Sequence, residues 1–127
     1  MSKKSMQAKI EFILEMIDNI EEIIKRHHGI VKTLEDFEGQ MAVLMGLSQI
    51  GETLKKLDDK LVQQYNLQDD KDGAYYTRNY IVHDYEGVDL EFIENILRVY
   101  LPEMQEKLLK LLSMTDIKLL GGDANDS

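Results

Sequence analysis

The chain has 127 residues, 43% hydrophobic and 31% charged, with no cysteine and a formal net charge of −9. That length and balance fit one globular core, and the lack of cysteine excludes disulfides, thiolate nucleophiles and zinc–thiolate sites, in keeping with a reducing cytoplasm. With 24 acidic against 15 basic residues, broad attraction to nucleic acid is disfavoured, which leaves a compact site acting on a few nucleotides, or a basic protein partner.

Charged residues interrupt the apolar positions after Lys9, so no signal-peptide core follows, and no run approaches the roughly 20 apolar residues of a membrane span. A soluble, cytoplasmic protein is expected. One proline and long amphipathic patterns between short polar stretches predict an all-α bundle, one domain over 1–120 with a flexible acidic tail over 121–127.

The first helix is expected over about 7–26. Ile10, Ile13, Leu14, Ile17, Ile20 and Ile24 recur at the three-and-four spacing of one helix face, and Phe12, Met16 and Ile23 widen that face to roughly 200°. Such width suits either the central helix of a bundle or a helix that also meets a second subunit. His27-His28-Gly29 reads as a solvated helix end with glycine in the left-handed conformation. The two histidines lack the surrounding carboxylates of a metal site.

Thr33 is the expected cap of a helix over about 35–61. Gly39, Gly46 and Gly51 fall inside it, each costing roughly 1 kcal/mol relative to alanine, so a neighbouring backbone should approach closely there. Asp70-Lys71-Asp72-Gly73 looks like the middle of a calcium loop, but the first and last ligand positions would be Gln68 and Asn79. Asp72 reads instead as the N-cap of a short helix from about Gly73 towards Tyr85. Gly87 breaks that helix, Asp89 caps the next, and the apolar spacing then continues from Leu90 to about Ser113, with Pro102 expected to kink or split it.

The segment from Thr77 to Tyr85 concentrates an arginine, an asparagine, a histidine and tyrosines. Cleaving RNA without a metal requires a base for the 2′-hydroxyl proton, an acid for the leaving oxygen and a cation for phosphorane charge. His83 can exchange protons near neutral pH, and Arg78 offers a permanently charged fork to phosphate oxygens. On a helix, Asn79 and His83 share a face, whereas Arg78 and His83 differ by about 140°, so Arg78 must reach around or the helix must loosen. One chain holds one such histidine, so a symmetric pair would bring two acid–base groups to a shared cleft. On spacing alone the plainer arrangement is the more economical one, with Arg78 bound to a nearby carboxylate and His83 satisfied at a helix end.

Arg78-Asn79-Tyr80-Ile81-Val82-His83-Asp84-Tyr85 resembles the Arg-X4-His-X-Tyr motif of HEPN ribonucleases of the HepT toxin family. The resemblance extends over roughly Ile10 to Leu112, through Ile50-Gly51-Glu52, Gly87-Val88-Asp89-Leu90 and Leu101-Pro102-Glu103. It implies a homodimeric antiparallel bundle of four to five helices, with the cleft at the dimer interface. The implied activity is metal-independent RNA cleavage by Arg78, Asn79 and His83, with no cofactor. The implied partner is a minimal nucleotidyltransferase antitoxin that adds AMP to Tyr85. The segment from Asp72 to Tyr76 departs from the family in lacking its Pro-Trp pair. The rival reading is a non-catalytic HEPN module that binds a nucleotidyltransferase or a nucleotide.

Overall fold

Every long apolar pattern in the sequence becomes a helix, and no strand occurs among the described residues. The structure, a computed structural model, describes the backbone of residues 2–126 and the side chains of residues 2–114 other than Tyr85. The tail expected over 121–127 lies outside the described side chains. The elements are α1 (Lys3–Arg26), α2 (Ile30–Glu35), α3 (Phe37–Lys55), α4 (Asp59–Gln64), α5 (Gln68–His83), α6 (Leu90–Asn95) and α7 (Leu101–Asp126). Four long segments, with α6 and α7 forming one of them, make an all-α bundle; α2 and α4 are short connecting helices.

Burial follows the spacing. Met6, Ile10, Ile13, Leu14, Ile17 and Ile20 of α1 are buried, and Met16 and Ile24 pack against the core at its edge. Most of the wide apolar face of α1 is therefore consumed within the bundle, by α3 and α7, while Phe12 stays partly exposed.

Glycine sets the spacing between helices. A Cβ on Gly46 would lie 2.8 Å from Ile20 Cδ1, and one on Gly39 would lie 2.6 Å from the Thr33 carbonyl oxygen. At Gly51 the neighbours would be the Ala74 carbonyl oxygen at 2.5 Å and Arg78 Cβ at 2.6 Å, so α5 rests directly on the backbone of α3. These pairings run in opposite directions along the chain, and α3 is accordingly antiparallel to both α1 and α5.

Several boundaries differ from the sequence expectation. The helix expected over 35–61 is divided, because Asp36 is extended (φ −88°, ψ 132°) and its side chain caps α3 through the Gly39 N–H at 2.8 Å. Thr33 is not that cap; it is buried in α2, where its hydroxyl donates to the Gly29 carbonyl. Asp58 then caps α4. His27 is more than a solvated end. Its Nδ1 lies 2.8 Å from the Ile23 carbonyl oxygen and its Nε2 3.1 Å from Asp36 Oδ2, joining the end of α1 to the start of α3. His28, with φ 65°, takes the left-handed conformation, and Gly29 follows at φ 130°. Pro102 does not split the last helix. A π-helical turn over Ile96–Tyr100, in which Leu101 N–H reaches back to the Ile96 carbonyl, widens the helix just before the residue that cannot donate.

Gly51→Val should lower stability by about 1–3 kcal/mol through overpacking, whereas Gly73→Ala, where a Cβ meets nothing within 4 Å, should hold or raise it. Urea midpoints of the two variants check this difference in sign.

The Gly39 N–H bond, helped by His27, holds the Asp36 carboxyl below its ordinary value of 3.8. Its contribution is complete above the unfolded-state value and is lost as pH falls through the lowered folded value. Asp36→Asn keeps a capping oxygen but removes the titration, so its melting temperature should depend less on pH than the wild type's over that acid window.

Candidate functional site

Helix α5 carries the motif and begins earlier than expected, at Gln68, with Leu67 rather than Asp72 at its N-cap. The buried Leu67 fixes this start, and Asp72 sits within the first turns, accepting from Gln68 Nε2 at 3.0 Å. The loop-like acidic segment Asp70-Lys71-Asp72-Gly73 is thus helical and does not form a calcium loop. Among the described residues no group of three or more histidine or carboxylate side chains is placed to hold a metal ion.

Thr77 and Ile81 of α5 are buried and Ala74 packs against the core beside them, while Asp72, Tyr76, Val82 and His83 stay exposed. Arg78 stands beside Gly51. Its Nε pairs with Glu52 Oε1 of α3 at 2.5 Å, and its Nη1 donates to Asn79 Oδ1 at 2.8 Å. The side chain therefore leans towards α3 rather than reaching around to His83. The plainer expectation of a carboxylate partner is met, though by a residue of the neighbouring helix and not by the acids around the motif.

His83 is the last residue of α5, exposed to solvent, and α5 remains regular through it. Asn79 lies one turn before it on the same face, between His83 and the Arg78–Glu52 pair. The structure therefore joins Arg78 and Asn79 directly and sets His83 on their helix beyond them. Tyr85, the expected acceptor of AMP, begins a 3-10 turn over Tyr85–Gly87; its side chain lies outside the described residues.

Tyr80 has a structural part. Its hydroxyl accepts the Asp89 N–H at 2.7 Å, and its ring meets Phe92 edge to face at 5.3 Å, so the motif helix holds the start of α6.

Sequence reasoning did not single out Lys55 and Tyr75. Lys55 Nζ donates to the Tyr75 hydroxyl at 2.5 Å and lies 3.9 Å from the ring centroid, and Arg78 Cζ lies 5.9 Å from the same ring. The Lys55 hydrogen bond, with smaller contributions from Asn79 and Arg78, holds the phenol below its ordinary value of 10.0. The available signal was the i, i+4 spacing of Tyr75 from Asn79.

Two exposed apolar side chains flank this face, Met45 of α3 at 58% and Val82 of α5 at 48% exposure. Met45 is two turns before Glu52, and Val82 one turn after Arg78, so both extend the same surface. A groove of about 510 Å³, lined in part by Leu47, Tyr76, Phe92, Tyr100 and Met104, runs along the other side of α5.

The comparisons with known proteins agree with this picture. A protein of Methanocaldococcus jannaschii, named as a gamma-glutamylcyclotransferase and candidate RNase, is 30% identical over 118 residues, which are 90% of this chain and 50% of that protein. A second protein of the same organism, named as a candidate RNase, is 29% identical over 99 residues, covering 76% of this chain and 78% of its own. The chain thus spans about half the length of the first relative. No solved structure matches it. The sequence profile described as ribonuclease HepT-like matches residues 13–111, from the middle of α1 to α7 and through the whole motif helix, and the chain belongs to that HepT-like family.

Proposed function

We propose that the protein is a metal-independent endoribonuclease whose cleft forms between two copies of the chain. The observation that carries this reading is the unbroken motif helix of a HepT-like chain, with Arg78 and Asn79 in contact at its middle and an exposed His83 at its last position. His83 of one protomer takes the 2′-hydroxyl proton. The 2′-oxygen attacks phosphorus, the bond to the 5′-oxygen breaks, and the second protomer's imidazole returns a proton to the leaving oxygen. Arg78 stabilises the charge on the phosphorane, and Asn79 orients the scissile group or His83.

The exposed Met45 and Val82 beside the site support pairing through this face, because burying them would enclose both motif helices. The partner we assign from family membership is a minimal nucleotidyltransferase antitoxin. Transfer of AMP from ATP to the Tyr85 oxygen, with release of pyrophosphate, would add an anion two residues from His83 and oppose phosphate binding in the cleft. The pairing of Arg78 with Glu52 and the net charge of −9 favour a second reading, a non-catalytic module that binds the nucleotidyltransferase. RNA cleavage separates the two.

His83→Ala and Arg78→Ala should each reduce cleavage about 100- to 10,000-fold while the helical spectrum stays native. Chelator should leave wild-type cleavage unchanged. Undiminished cleavage by His83→Ala, or its loss on chelation, defeats the mechanism. Sedimentation should give twice the 14.7 kDa chain mass, and mixtures of inactive and wild-type chains should lose activity as mixed dimers form. After incubation with the nucleotidyltransferase and ATP, peptide mapping should find the added AMP on Tyr85 and none there in Tyr85→Phe.

A further inference from the structure

We propose that Tyr75 and Lys55 form a binding subsite for single-stranded RNA, in which the phenol ring takes the face of a base and the ammonium takes a backbone phosphate. The inference rests on the ribonuclease reading and adds to it a place for the nucleotide that lies beyond the cleaved bond.

Three observations carry it. First, two cations converge on one ring in a chain of net charge −9, Lys55 at 3.9 Å and Arg78 at 5.9 Å from its centroid. Second, their charges are not equally spent. Arg78 is neutralised by Glu52, whereas Lys55 beside the same ring donates to the neutral Tyr75 hydroxyl. Its full charge remains for an incoming anion. Third, Tyr75, Asn79 and His83 stand at i, i+4 and i+8, one row along α5 with a rise of about 6 Å per step. A strand laid along the row would meet His83 at one end and the Tyr75 ring about 12 Å away, with Arg78 between.

The chemistry suits single strands. Bases stack on aromatic rings regardless of sequence, and cations beside the ring track the backbone. Tyr75 is partly exposed, and Lys55 is exposed next to it. The Tyr75 hydroxyl, which accepts from Lys55, keeps its own proton to donate to a ribose or base oxygen once the ammonium turns to phosphate. A purely structural clip between α3 and α5 would need none of this exposure.

The test uses the full-length chain and a fluorescent oligonucleotide with 2′-O-methyl riboses, which binds but has no nucleophile, so that binding is read apart from cleavage. Anisotropy is measured across a salt series for wild type, Lys55→Gln, Tyr75→Phe and Tyr75→Ala, with Lys25→Gln as a surface control and circular dichroism to verify folding. Tyr75→Ala should bind about 5- to 150-fold more weakly, Tyr75→Phe should stay within about threefold of wild type, and Lys55→Gln should lower the salt slope by about 0.7. On cleavable RNA both weakened variants should raise KM more than they lower kcat. Equal affinities for Tyr75→Ala and Tyr75→Phe, or an unchanged slope in Lys55→Gln, overturn the subsite. Wild type that shows the expected binding pattern but leaves 2′-hydroxyl RNA uncut overturns the ribonuclease reading and supports the subsite.

Discussion

The site depends on a missing side chain. Because Gly51 has no Cβ, the Ala74 carbonyl and Arg78 Cβ come closer to the backbone of α3 than any other residue would permit. That contact sets the depth of α5 in the bundle, and Glu52 follows directly in sequence, within reach of the guanidinium. Lys55, one turn further along α3, then meets Tyr75, one turn back along the antiparallel α5. A wider helix spacing would separate both pairs.

Helix α5 divides its surface by function. Thr77 and Ile81 face the core, Tyr76 and Tyr80 lean on Phe92, and Tyr75, Arg78, Asn79 and Val82 face outward beside α3. The groove of about 510 Å³ belongs to the Tyr76 side, away from the guanidinium. A helix so sparsely buried relies on its neighbours for position, and the Tyr80 to Asp89 bond gives it a second hold at the end where His83 stands.

The sequence was most informative where periodicity was long. The stripe of α1 and the three glycines of α3 carried both the helices and their close packing, because each leaves a pattern in the local composition. Boundaries were harder. Thr33 and Asp36 are both good capping residues three positions apart, and only the burial of Thr33 decides between them. Leu67 starts α5 through a tertiary contact that no local signal records, and the π turn before Pro102 is one of several ways a helix can absorb a proline. Within the site, the motif residues stood out by their density. Lys55 and Tyr75 did not, and Glu52 stood out only as part of a family-like segment and not as the partner of Arg78, since these meanings come from another helix twenty or more residues away.

The Arg78–Glu52 pair is partly buried on both sides, with side-chain exposures of 27% and 36%. A guanidinium held this way has already given up part of its hydration and its rotameric freedom. A phosphate arriving there would exchange one oxyanion for another and return the Glu52 carboxylate to water, instead of capturing a fully solvated cation. Binding of that kind works as ion exchange. Weak or singly charged anions compete poorly with a tethered carboxylate of high local concentration, while a polyanion that engages neighbouring cations at the same time displaces it. On the proposed ribonuclease reading the ion pair would act as a threshold, set by chain length and charge density rather than by the presence of phosphate alone.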